Sequence, residues 1–276
     1  MSVNFTRAAA LAGGLVALLA GCAEAQGGEQ GGGLAARVSA APDGEVRMHF
    51  TSRAGVCGNA DGDRVMIGST DDSRRTYEGS WNGGSRREME CIEGPTYLRL
   101  RVRGGQVSEV SARVARAFPA EGGRVTDLGR VPAREAAGYL LALAERSPDG
   151  KVGEGAIFPA TLADSVSTWR QLLRIARGGA ARDEARRSAV FWLGQQAGEE
   201  VTKGLAGLVD DDAQGRELRE AAVFSLSQRP SDEAVPELIR IARSHRDANI
   251  RKAALFWLGQ SNDPRALALF EEILAN

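Results

Sequence analysis

Arg186-Arg187-Ser188-Ala189-Val190-Phe191-Trp192-Leu193-Gly194-Gln195 returns as Arg219-Glu220-Ala221-Ala222-Val223-Phe224-Ser225-Leu226-Ser227-Gln228, and again as Arg251-Lys252-Ala253-Ala254-Leu255-Phe256-Trp257-Leu258-Gly259-Gln260. The offsets are 33 and 32 residues. A fixed period in this range marks an architecture in which each unit buries its apolar face only by stacking on its neighbours. A second register agrees: Trp169 to Arg177 matches Val235 to Arg243, both ending in Arg-Ile-Ala-Arg, at an offset of 66, or two repeats.

Each unit reads as a pair of helices. In the first, Ala185, Ser188, Ala189, Trp192 and Leu193 form one apolar stripe. Leu218, Ala221, Ala222, Ser225 and Leu226 answer it, as do Ile250, Ala253, Ala254, Trp257 and Leu258. Small residues in mid-stripe let helix axes approach closely. Phe191, Phe224 and Phe256 point off the stripe, so the helix is apolar over more than one face, as an interior helix should be. The second helices carry Val201, Leu205 and Leu208, then Val235, Leu238, Ile239 and Ala242, then Leu267, Phe270 and Leu274. Asp263 before Pro264 predicts an N-cap, and Ser231 a cap before Val235.

The Arg-x-Ala-Ala-x-x-x-Leu-Gly-Gln helix, followed by a turn with Asp-Pro and an Ala/Leu-rich helix, resembles the HEAT-like repeats first named from phycobilisome lyases. The resemblance spans roughly Ser165 to Asn276; the middle copy departs from it, with Ser227 for the Gly and Arg229-Pro230 for Asp-Pro. It implies a right-handed α-solenoid of helix pairs from about Arg134 to Asn276. Such stacks serve as scaffolds, adaptors and, rarely, lyases.

Upstream, Ala136, Ala137, Leu140, Leu141 and Ala144 place one stripe on a helix that starts after Pro132 and ends near Ser147-Pro148. It reads as an N-terminal cap on about three and a half units. Asp149 to Asp164, with Phe158-Pro159, reads as an irregular linker. Further upstream the period is that of strands: Val46, Met48 and Phe50 alternate with Arg47 and His49; Leu98, Leu100 and Val102 alternate with Arg99, Arg101 and Arg103; and Val110, Ala112 and Val114 follow the hairpin signal Gly104-Gly105. Val65-Met66-Ile67 is a weaker strand. Residues 35–130 therefore read as a small antiparallel β domain and 131–276 as the helical repeat domain, an α+β two-domain chain.

Residues 1–22 have the form of an export signal: Arg7, then an apolar run from Ala8 to Ala20 too short to span a membrane. Leu19-Ala20-Gly21-Cys22 resembles the lipobox of bacterial lipoproteins, which implies a lipid on Cys22 and a cell-envelope location, on the inner or the outer membrane. Cleavage after Ala23-Glu24-Ala25, leaving Gln26 first, is the alternative. Residues 23–34 are a Gly-rich tether. In an oxidising compartment the remaining Cys57 and Cys91 pair most simply as a disulfide. Tyr77 and Trp81, alone in a polar stretch from Gly68 to Glu90, are candidates for a ligand platform or for rings folded back onto the sheet. Asp61-Gly62-Asp63 lacks the further ligands of a calcium loop and reads as a turn.

The chain of 276 residues balances 35 basic against 36 acidic side chains, so no global field draws nucleic acid. All the basic residues except Lys151, Lys203 and Lys252 are arginine, which suits phosphate recognition through planar, bidentate guanidinium groups or, more simply, matches an Ala-, Gly- and Arg-rich coding bias. With only His49 and His245 and no Gly-x-Ser-x-Gly, P-loop, His-Glu-x-x-His or dinucleotide fingerprint, the sequence supports neither catalysis nor a metal or cofactor site. Asp210-Asp211-Asp212 reads as a turn. Phe191/Gln195, Phe224/Gln228 and Phe256/Gln260 put a ring and an amide on one flank of every first helix, either as a ladder for an extended partner or as helix-end satisfaction. The function expected is a non-enzymatic, membrane-anchored scaffold for a protein partner. A ligand or glycan sensor built on the β region is the alternative, and a cofactor-handling lyase a third.

Overall fold

The computed structural model describes residues 33–61, 64–68, 91–120 and 122–275. The segment expected to be an export signal, Cys22, the expected tether up to residue 32, Gly62-Asp63, Tyr77 and Trp81 lie outside them. Helix α1 (Leu34–Ser39) opens the described chain and buries Leu34 and Val38. The Leu34 N–H donates to Glu135 Oε1 at 2.8 Å. The tether expected to run through residue 34 therefore ends before it, because Leu34 has apolar surface to bury.

Strand β1 (Gly44–Phe50) buries Val46, Met48 and Phe50 and turns Arg47 and His49 to the other face, as alternation requires. The small strands β2 (Val56–Gly58), β3 (Val65–Ile67) and β4 (Ile92–Glu93) form a sheet of order β3-β2-β4. In it Cys57 and Cys91 stand at disulfide distance with their Cα atoms 5.3 Å apart. The larger sheet adds β5 (Thr96–Arg103), β6 (Gln106–Val114) and β7 (Val125–Arg130) in the order β6-β5-β1-β7. Gly104 and Gly105, at φ 57° and 71°, supply the two positive φ angles of a tight hairpin between β5 and β6. The sheet is mixed rather than antiparallel, because β7 runs parallel to β1. Alternation along one strand does not encode the direction of its neighbour, and the short β7 was not legible at all.

The helices follow as α2 (Ala133–Arg146), α3 (Gly150–Thr161), α4 (Trp169–Arg177), α5 (Asp183–Gly194), α6 (Glu199–Asp210), α7 (Arg216–Ser227), α8 (Ser231–Ser244), α9 (Ala248–Gln260) and α10 (Pro264–Ala275). They stack in two layers. In one, α3, α5, α7 and α9 lie side by side; in the other, α2, α4, α6, α8 and α10 do, and α2–α3, α4–α5, α6–α7 and α8–α9 pack most closely across the layers. The segment read as an irregular linker is thus α3, a fourth copy of the first helix. Its Ala156-Ile157-Phe158 matches Ala189-Val190-Phe191, Ala222-Val223-Phe224 and Ala254-Leu255-Phe256. Asp149 caps it, accepting from the N–H of Lys151 at 2.8 Å and Val152 at 3.4 Å, and Pro159 sits in its last turns. Burial of Val152, Ala156, Ile157 and Ala160 overrides the low helix propensity of three glycines and a proline. Helix α2 accordingly belongs to the outer layer of a full unit and is not an isolated cap.

The face of the sheet that carries Val46, Met48, Leu98 and Leu100 shares one hydrophobic core with the stack. Val110 of β6 lies against Gly155 of α3, so the sheet occupies the place where a preceding repeat would pack. Strand gives way to helix between β7 and α2, and no break in the core accompanies the change.

Two details of the helix ends differ from expectation. Ser231 is the first helical residue, with Pro230 at the cap, and makes no capping bond, whereas Asp263 does cap α10, accepting from the Arg265 N–H at 2.9 Å. The Arg265 guanidinium and that N–H hold the Asp263 carboxyl down at about 2. In α10 the buried residues are Ala266 and Leu269, one position out of phase with the stripe expected, and Leu267 and Leu274 are exposed. As the last described helix, α10 has a neighbour on one side only.

Arg229, the residue that breaks the pattern of the middle copy, is buried and is a tie across units. Its guanidinium donates to the carbonyls of Gln196 and Gly198, the latter at 3.0 Å, to Thr202 Oγ1 at 3.0 Å, and to Glu233 Oε2 at 2.9 Å. It thereby satisfies the α5–α6 turn while it pairs with α8. Glu233 is held below the usual carboxylate range, chiefly by the Thr202 hydroxyl and then by Arg229. Replacing Arg229 with Ala strands those acceptors, so urea denaturation of Arg229→Ala is expected to show a loss of about 3 kcal/mol. Arg216→Ala, which removes an exposed i,i+4 pair with Glu220, is expected to change stability by less than about 0.5 kcal/mol.

Candidate functional site

The recurrent Ala-x-Phe triplet sets the surface of the α3-α5-α7-α9 layer. Its alanine is buried in every copy and its phenylalanine, two residues on, comes to the surface. The rings join into one row. Phe158 of α3 stacks on Trp192 of α5 with centroids 4.7 Å apart, and Trp192 meets Phe191 edge-on at 5.1 Å. Phe191 then faces Phe224 of α7 at 6.5 Å, Phe224 meets Trp257 of α9 at 5.0 Å, and Trp257 meets Phe256 at 5.0 Å. Five of the six rings are half-buried and Phe256, at 59%, is exposed.

Trp192 and Trp257 were expected inside the core stripe. They lie instead at its margin and link the phenylalanines of successive helices. The middle copy has Ser225 at this position, and the reason is steric: a Cβ on Gly194 would stand 2.9 Å from Ser225 Cβ, so α5 and α7 touch where a tryptophan would have to fit. Phe158 was missed with its helix; its alignment with Phe191 at an offset of 33 was the available signal.

Gln195, Gln228 and Gln260 stand exposed at the C-terminal ends of α5, α7 and α9. Gln228 Nε2 donates to Ser227 Oγ at 3.1 Å. The amides are thus on the same layer as the rings, at one edge of the row. Along the opposite side of the turns, recurrent arginines tie units together: Arg186 donates to the Ala176 carbonyl at 3.1 Å and to Gln214, Arg219 to Asp247 at 3.2 Å, and Arg251 to the His245 carbonyl at 2.7 Å. The acidic run is engaged in the same ties. Asp210 pairs with Arg240 at 2.9 Å, Asp212 with Arg219 at 3.6 Å, and Asp211 accepts from Gln214 and from the Ala213 N–H, which lower its carboxyl below the usual range.

Among the described residues no group of three or more His, Cys, Asp or Glu side chains gathers as a metal site would, and no helix is long and apolar enough to cross a membrane. The site residues Tyr77, Trp81 and Cys22 lie outside the described residues, and Cys57 with Cys91 belongs to the small sheet, away from the row of rings.

The HEAT repeats family matches residues 205–276, most of α6 through α10. No curated protein matches the sequence. The helical stack therefore carries HEAT-like repeats in its C-terminal half.

If the rings form one packed row whose last member is free, their substitutions should separate. Trp192→Ala is expected to cost about 2 kcal/mol in thermal or urea denaturation, since it removes the ring stack with Phe158 between α3 and α5. Phe256→Ser is expected to cost less than about 1 kcal/mol, because most of its ring already faces water.

Proposed function

We propose that this chain is a non-catalytic scaffold or adaptor, held to the bacterial cell envelope by a lipid on Cys22, that binds a protein partner through the ring-bearing layer of its stack. The observation that carries this reading is the unbroken row from Phe158 to Phe256, flanked by the exposed amides of Gln195, Gln228 and Gln260. Large rings present contact area at low entropic cost, and amides at regular spacing suit the backbone of an extended segment. HEAT-like repeats are consistent with protein interaction. The short stack offers one modest patch rather than a long superhelical groove. The likeness to the repeats of phycobilisome lyases is one of packing and brings no catalytic residue with it. A ligand or glycan sensor built on the β region with Tyr77 and Trp81 is the alternative reading.

A photo-crosslinking residue placed at position 256 or 228 in cells is expected to give the same single protein adduct from both positions, with none from position 240 on the other layer. Adducts that are absent at 256 and 228, or equally present at 240, would contradict the reading.

A further inference from the structure

The outer face of the large sheet is rich in arginine, and most of that charge is compensated. Arg47 pairs with Glu45 at 2.6 Å, Arg101 with Glu109 at 3.2 Å, and Arg99 lies 3.8 Å from each of the same carboxylates. Beyond the C-terminal ends of β1 and β7 the compensation stops. There a cavity of about 450 Å³ is lined by His49, Ser52, Arg53, Glu93 and Arg130 together with apolar surface from Ala54 and Pro95.

Arg53 is fixed but not used up. Its backbone N–H donates to the Leu162 carbonyl at 2.8 Å and its Nε to the Thr161 carbonyl at 3.0 Å, which ties the turn after β1 to the end of α3. The two Nη nitrogens have no acceptor among the described residues. Burial also lowers the guanidinium's pKa, the sign of a cation drawn out of water without a carboxylate to offset the loss. Arg130, opposite His49 in the parallel pair, spends one donor on Thr51 Oγ1 at 3.1 Å and makes no ion pair among the described residues. Glu93 is the one carboxylate among these lining residues, and it is exposed and pairs with neither arginine.

We infer that this cavity is a binding site for a small organic anion, a carboxylate or a phosphate ester, with the Arg53 fork as its charge partner, Arg130 at the rim and Ala54 and Pro95 against its apolar part. A guanidinium whose Nε is already anchored presents its two Nη groups in the planar geometry that a carboxylate or phosphate accepts in bidentate fashion. The volume is in the range of small-molecule sites. The site lies in the sheet region and is independent of the row of rings, so it stands or falls separately from the scaffold reading.

The test is an NMR titration of the full chain, following the arginine side-chain N–H resonances with inorganic phosphate and with acetate as probes and with sodium chloride at matched ionic strength as control. Saturable shifts of the Arg53 and Arg130 signals by phosphate, by acetate or by both are expected, and the stronger probe identifies the anion class. The dissociation constant is expected to rise about tenfold in Arg130→Gln and in Arg53→Lys, which keeps the charge and loses the fork. Shifts that chloride reproduces, that fail to saturate, or that saturate equally well in Arg130→Gln would overturn the inference.

Discussion

Close approach of α3, α5, α7 and α9 is the constraint on which the rest of the structure depends. The α3–α5 and α5–α7 contacts are so tight that a Cβ on Gly153 would stand 3.1 Å from Ala185 Cβ and one on Gly194 2.9 Å from Ser225 Cβ, and each helix carries a fully buried alanine, Ala156, Ala189, Ala222 or Ala254. Small residues let the axes come together, and larger side chains would force them apart. Because helical geometry places the residue two positions later at a fixed angle from that buried alanine, its burial in every copy makes Phe158, Phe191, Phe224 and Phe256 emerge in register along one surface. The row of rings is therefore a consequence of how the repeats pack, and the packing and the surface cannot be altered independently near their shared residues.

Ties between successive units complete the stack. Arg186, Arg219 and Arg251 reach helix ends and turn carboxylates, and the buried Arg229 replaces the Asp-Pro turn of the middle copy with a cation that serves the preceding turn and the following helix at once. At the N-terminal end the sheet substitutes for a further repeat, meeting α3 through Val110 and Gly155 and sharing the core without interruption. A stack end that would otherwise expose an apolar face is thus covered by a different kind of element.

The periodic parts of this molecule were legible because burial repeats with the sequence. The Ala and Leu positions of α2, α5, α7 and α9, the strands β1, β5 and β6 and the Gly104-Gly105 hairpin have local signals that the structure bears out, and Cys57 and Cys91, paired by elimination, stand at disulfide distance. What escaped did so for identifiable reasons. Gly150, Gly153, Gly155 and Pro159 hid α3 and with it Phe158, although the Ala-Ile-Phe triplet was there to be aligned. Strand β7 carries only two large apolar residues, Val125 and Leu128, three positions apart and so on opposite faces, which leaves no alternation to read, and its parallel pairing with β1 is a non-local choice. Trp192 and Trp257 share a helical face with core residues, and only the neighbouring helices decide that they bridge rings at the margin. Arg229 looked like a defect in the repeat because a buried cation is justified by acceptors far away in sequence. The cavity beside Arg53 has no sequence signature, since β1, the β3–β5 connection and β7 contribute to it from separate stretches.

Helix α3 is a full member of the stack rather than a linker before it, and native-state hydrogen exchange tests this most directly. Amides of residues 152–160 are expected to be protected to the same degree as those of α5 and α7 and to open together with them. Exchange of that segment at the rate of an unstructured chain, while α5 and α7 stay protected, would contradict the account.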